Sequence, residues 1–256
     1  KVMVLREKVR RLNVRAESKD KSVRICIVQS VRPIPPKNTR ETRDWNRDDP
    51  EFNGRPIRYH LRRHLSHILA GVNQMLAIRV THRNYGRRLD WLILPELSVH
   101  PDDVRPILVP FVRQHKCIVL AGLLYHNVLG ARRLVNEALW LYPSLTPTGG
   151  WRVQSIYQGK KYLAHEEEEF FPGRLEGYRP CQWIIDYHWS TQRTKPLKLT
   201  SSICYDATDL NKVSHLRDLT DIYAIPALNK DVNTFDTMTQ ALHYHMYQMV
   251  ILANNG

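Results

Sequence analysis

Asp90-Trp91-Leu92-Ile93-Leu94-Pro95-Glu96-Leu97 is the stretch on which the fold turns. Asp90–Leu94 is a short apolar run closed by a proline, and it reads as a buried strand rather than a helix. Glu96 then sets a carboxylate at the C-terminal end of that strand, where functional groups cluster in open α/β sheets.

On the N-terminal side, Val23–Gln29 reads as a second short strand. Residues 32–55, with four prolines and eight Asp, Glu or Asn, read as a long polar loop. Ile57, Leu61, Leu65, Ile68, Leu69, Val72, Met75 and Leu76 recur at helical spacing. Downstream, Asp102–His115 reads as a helix with an acidic first turn. Cys117–Leu124, Leu134–Tyr142, Trp151–Tyr157, Trp183–Trp189 and Leu197–Ile203 follow as strands. A short helix over 208–218, a strand at Asp221–Ile225, a helix over 234–249 and a strand at Val250–Ala253 close the chain. Strand–helix units flanking a run of strands predict an α/β layered domain with helices covering the sheet faces.

The chain has 256 residues, 43% of them hydrophobic, enough for one large domain. Its longest apolar run, Cys117–Tyr125, is far short of the ~20 residues a membrane-spanning helix needs. The net charge of +13 suggests a nucleic-acid partner until its distribution is counted. Residues 1–90 hold 22 of the 38 Lys and Arg but nine of the 25 acids. The rest of the chain is formally neutral, so contact with nucleic acid is an expectation for the basic front third alone. Within it, Val2, Leu5, Val9 and Leu12 form an apolar seam, which reads as a basic helical extension or linker over residues 1–22. Four scattered cysteines without a CxxC pair read as reduced thiols in a cytoplasmic protein. The first residue is Lys rather than Met, and a longer parent protein is expected.

Three segments pair a reactive side chain with a strand end: Glu96 after Leu94-Pro95, Lys160 after Gly159, and Cys204 in Ser201-Ser202-Ile203-Cys204-Tyr205-Asp206. Alone, each has a plainer explanation: a solvated loop carboxylate, a surface lysine, an inert core thiol. Their order and shared setting raise the functional reading. His60, His64 and His67 share one helical face, but Arg58, Arg62 and Arg63 beside them would repel a cation, so no metal is expected there.

With those residues in place, the chain from Arg24 to Gly256 resembles the carbon–nitrogen hydrolase, or nitrilase, superfamily. RICIVQS (24–30) resembles its first strand, LDWLILPELS (89–98) its glutamate segment, and IVLAGLLYH (118–126) the strand after it. YQGKKYL (157–163) resembles the lysine segment, with its Lys-x-(His or Tyr)-Leu pattern anchored at Lys160. LTSSICYDATDL (199–210) resembles the nucleophile segment, and DIYAIPAL (221–228) with VILANNG (250–256) the strands around the last long helix.

The resemblance implies a nitrilase-type α-β-β-α sandwich over residues 23–256, with the family's C-terminal strands missing. It implies Cys204 as nucleophile, Glu96 as general base, Lys160 at the oxyanion, Glu168 as a second glutamate four residues before Pro172-Gly173, and the Tyr205 N–H as a further oxyanion donor. It implies hydrolysis of an amide or nitrile through a covalent thioester or thioimidate, no cofactor, and self-association. The family's Phe-Pro-Glu after the nucleophile is replaced by Leu210-Asn211-Lys212, and its Arg-Ala-x-Glu on the last helix by residues 241–245. Divergent domains of this kind occur behind reverse transcriptases in antiviral defence, so an accessory or oligomerisation module is the alternative.

Overall fold

The computed structural model describes residues 8–16, 22–30, 51, 53–83, 88–191, 194–229 and 231–255. In chain order its strands are β1 (Lys8–Arg15), β2 (Ile25–Ile27), β3 (Trp91–Ile93), β4 (Ile118–Gly122), β5 (Glu137–Leu145) and β6 (Trp151–Gly159). They continue as β7 (Cys181–His188), β8 (Leu197–Ser201), β9 (Ile222–Ala227) and β10 (Met249–Asn254). The helices are α1 (Arg55–Arg83), α2 (Pro101–Asp103), α3 (Val109–His115), α4 (His165–Phe170), α5 (Leu210–Leu216) and α6 (Val232–Met246). A π-helical turn, Val104–Leu108, joins α2 to α3, and a 3₁₀ helix, Cys204–Thr208, precedes α5.

Two five-stranded sheets result, ordered β2-β3-β4-β5-β6 and β1-β7-β8-β9-β10. The run at β3 explains the layering. Trp91 and Ile93 point between the sheets, where Trp91 stacks on Trp140 of β5 at 5.4 Å. Leu92 and Leu94 point the other way, onto Leu65, Leu69 and Val72 of α1 and Leu108, Phe111 and Val112 beside them. Burial on both faces is why this strand reads as an unbroken apolar run rather than an alternating one. On the second sheet, Phe235, Leu242 and Met246 of α6 pack into the cluster that holds Ile222–Ile225. The architecture is a mixed α/β sandwich with helices outside both sheets. Among the described residues, no helix is long and apolar enough to cross a membrane.

The front of the chain departs from its reading. Lys8–Arg15 is a strand, not a helix, and pairs in parallel with β7 from Lys8–Cys181 to Arg15–His188. Val9 and Leu12 fit a helical seam by spacing, but Leu12 and Val14 fit a period of two and reach the inter-sheet core, while Val9 stays exposed. Val2, Leu5 and residues 17–21 of the expected extension lie outside the described residues, as do 31–50 and 52 of the polar loop and Gly256. All four cysteines are free. Among the described residues no three His, Cys, Asp or Glu are grouped to hold a metal, and Arg58 and Arg62 of α1 instead pair with the buried Asp103.

Candidate functional site

Sheet topology gathers the chemistry at one end of the sandwich. β3 and β4 are parallel, β5 is antiparallel to β4, and β6 is antiparallel to β5. The C-terminal ends of β3, β4 and β6 and the start of β5 therefore share one edge. Glu96, Asn136 and Lys160 lie within three residues of those ends. In the facing sheet, β8 and β9 run parallel and bring Cys204 and Leu228 to that end as well.

Glu96 reaches the edge through a sharp turn in which Leu97 takes a left-handed φ of 50°. Gly122 of β4 makes room: a Cβ there would lie 2.4 Å from the Glu96 Cα. Gly159 does the same for the lysine segment, where a Cβ would sit 1.8 Å from the Tyr178 carbonyl oxygen. Both close approaches require glycine.

Lys160 is the inward lysine of its pair, 1% exposed, while Lys161 faces outward over the Tyr162 ring at 4.8 Å. Its Nζ donates to Glu96 Oε1 at 3.0 Å and to Glu167 Oε2 at 2.5 Å. Asn136 Nδ2 bridges the same two carboxylates, at 2.7 Å to Glu96 Oε1 and 3.1 Å to Glu167 Oε1. The Tyr125 hydroxyl donates to Glu167 Oε1 at 2.9 Å. The Leu228 N–H donates to Glu96 Oε2 at 2.9 Å. Two buried carboxylates are thus satisfied by one ammonium, one amide, one phenol and backbone N–H groups, as burial of charge demands.

The glutamate that joins the site is Glu167, not Glu168. Glu168 lies on the exposed side of α4. Helix phase decides between them: Glu167 stands at the third helical position and its Oε2 reaches back to the Ala164 N–H at 2.8 Å. That turn aims its carboxylate inward, and in a run of four glutamates only the helix start distinguishes one from the next.

Cys204, 5% exposed, follows β8 with a left-handed φ of 45°. A non-glycine residue in that region stores strain, and such strain concentrates at functional sites. Its Sγ lies 4.0 Å from the Leu228 carbonyl oxygen, and the N–H of the same Leu228 donates to Glu96 Oε2. Tyr205 is the second residue of the short 3₁₀ helix, and its side chain is half exposed.

Electrostatics sort the protons. Burial pushes the Cys204 thiol up, and the Glu96 charge pushes it further. Burial likewise raises the Glu96 carboxyl, with Lys160 opposing. Burial works against the Lys160 ammonium, but Glu96 and Glu167 outweigh it and hold the lysine above its ordinary value. Glu167 keeps a lowered value because Lys160 overcomes its burial. The Lys160 ammonium lies between the Glu96 and Glu167 carboxyl groups, and the raised thiol of Cys204 favours its protonated form.

Asn136, Tyr125 and Leu228 escaped the sequence reading. Asn136 carried a usable signal, a polar residue at the mouth of an apolar strand; Leu228 carried none, because it acts through its backbone.

No protein-family model matches the chain, and a search of curated proteins returns no match either. Among solved structures, the chain is similar to a glutamine-dependent NAD(+) synthetase from Cytophaga hutchinsonii, at 15% identity and a TM-score of 0.46. The likeness covers 91% of this chain and 36% of that one, so the chain spans about a third of its length.

Proposed function

We propose that the protein is a thiol-dependent hydrolase of a small, non-peptide C–N bond, in an amide or nitrile. One observation carries the reading: a buried cysteine on a strained turn meets, through Leu228, a carboxylate that shares a lysine with a second carboxylate. The three residues stand in the chain order Glu, Lys, Cys that the sequence resemblance implies.

Because the thiol is held protonated, Cys204 Sγ attacks the carbonyl carbon as its proton passes to Glu96. The oxyanion that forms is met by the Lys160 ammonium, with the Tyr205 N–H as second donor. Collapse breaks the C–N bond, and Glu96 returns the proton to the departing nitrogen. Water then attacks the thioester with Glu96 again as base, releasing the acid and restoring the thiol. Glu167 does not touch the reacting atoms; it fixes Lys160 Nζ, so that the cation needs no rearrangement when charge develops. The reactive side chains are almost wholly buried, which favours a small substrate.

The test is release of ammonia from a panel of small amides and nitriles by wild type and by Cys204→Ala. Release that disappears in the variant while far-ultraviolet circular dichroism is unchanged supports the reading; release at the wild-type rate sinks it.

A second reading, an association module, is favoured by exposed apolar side chains at the end of α6 and the start of β10. Tyr244, Tyr247 and Met249 are 72%, 78% and 54% exposed. Sedimentation of the wild type against Tyr247→Glu checks it: a mass that falls in the variant supports association through this face, and an equal mass excludes it.

A further inference from the structure

His126 stands outside the chemistry just described, yet each strand segment it joins carries a residue of the site. Its backbone bridges Val135 in both directions, with His126 N–H to Val135 O at 3.3 Å and Val135 N–H to His126 O at 3.0 Å. Its ring adds a second tie. Nδ1 lies 2.9 Å from the Leu124 carbonyl oxygen and Nε2 lies 3.2 Å from Glu137 Oε2. A carbonyl oxygen and a carboxylate oxygen both accept, so both ring nitrogens must donate, which only the imidazolium can do.

The neighbours of this clamp matter most. Tyr125 precedes His126 and donates to Glu167, while Asn136 precedes Glu137 and donates to both Glu96 and Glu167. We propose that His126 is a positioning residue of the carboxylate pair: by clamping Leu124 to Glu137 it holds Tyr125 and Asn136 against Glu167 and Glu96. The inference rests on the role given above to Glu96 and Cys204.

The groups around the ring favour the charged form. Glu137 faces it from β5, and Glu51 adds a second negative charge from the segment before α1. Burial works against the imidazolium, but the bonds to Glu137 and Leu124 prevail and raise its value above the ordinary 6.5. His126 also lines an open groove of about 530 Å³, with Arg10 of β1, Tyr157 of β6, Tyr178, and Trp183 of β7 across from it. Arg10 also lines that groove, and its guanidinium is stacked 5.7 Å over the Trp183 ring. The groove gives the ring a route to solvent, so it can exchange its proton.

Loss of that proton leaves one of the two acceptors without a donor. The clamp then opens on the Glu137 side, and Asn136 loses its fixed approach to Glu96. Misplacing a reacting group by about 1 Å can slow a reaction by about 10²-fold, and a partial release of Asn136 should slow Cys204 by roughly tenfold.

The experiment uses the whole chain, with iodoacetamide as the probe. The alkylation rate of the Cys204 peptide is followed by mass spectrometry from pH 5.5 to 9.5, alongside ¹⁵N resonances of labelled histidine. The wild type is expected to show a His126 ring protonated on both nitrogens at pH 7. Its Cys204 rate should fall below the ordinary thiol trend by about tenfold as that ring deprotonates. His126→Gln, which can still donate to Glu137 but cannot titrate, should keep the low-pH rate and lose the break. His126→Leu should be slow at every pH.

A ring protonated on one nitrogen at pH 7 overturns the inference. So does a pH profile of His126→Gln that matches the wild type while Glu96→Gln slows alkylation. If Glu96→Gln alkylates as fast as wild type, the inference falls together with the functional reading.

Discussion

Asp206 Oδ2 accepts from Arg179 Nη1 at 2.5 Å, and neither side chain is exposed beyond 1%. The same carboxylate accepts the Lys161 N–H at 2.9 Å and the Tyr162 N–H at 2.8 Å. Asp206 lies two residues after Cys204, and Lys161 follows Lys160. One buried ion pair therefore ties the nucleophile turn to the lysine segment, and the separation of Cys204 from Lys160 is set by it.

Removing one partner of a buried pair leaves the other charge uncompensated, which costs about 3–5 kcal/mol. Arg179→Met should lower stability by about that amount in chemical denaturation, and Asp206→Ala by less, because Arg179 Nη2 keeps Asp209 Oδ2 at 3.2 Å. The double variant should lose less than the sum of the two, because the second change removes the stranded charge. Additive losses would mean that the pair is not coupled.

Glu167 and Glu168 separate under mutation. Glu167→Gln removes an ionic bond to Lys160 and should cost about 1.5–3 kcal/mol at neutral pH. Its folded-state value lies below the ordinary 4.5, so its contribution is full above that pH and fades as pH falls through the lowered value. The stability gap between wild type and Glu167→Gln should therefore narrow in acid. Glu168→Gln, on the exposed side of α4, should leave stability within about 0.5 kcal/mol of wild type at every pH. Equal effects of the two substitutions would contradict the assignment.

The strand at Lys8–Arg15 makes a claim that hydrogen exchange can read. Among the described residues β1 is an edge strand, bonded on one side, to β7. Amide protection should alternate along it, since every second N–H turns away from β7. A helix over the same residues would protect a contiguous run beyond its first turn.

Much of the architecture was legible because β3, β4 and β5 are buried on both faces, so that their apolar runs stand out from the chain. Glu96 stood out at the end of β3, and Lys160 and Cys204 at the ends of β6 and β8. The front strand was obscured because Leu12 belongs both to a helical seam with Val9 and to a period of two with Val14, and β7, which decides between them, lies about 170 residues away. Glu167 was missed by one residue because a run of four glutamates has no phase until the helix start is known. Asn136, Tyr125 and the Leu228 N–H became visible only once three separate segments met at one carboxylate pair.

The central claim is a covalent bond to one sulfur. Wild type is mixed with an amide that it turns over, quenched in acid within the first turnovers, and digested for mass spectrometry. The account predicts an acyl mass on the Cys204 peptide, labile to hydroxylamine and absent from Cys204→Ala. An acyl mass on another residue, or turnover that persists in Cys204→Ala, would contradict it.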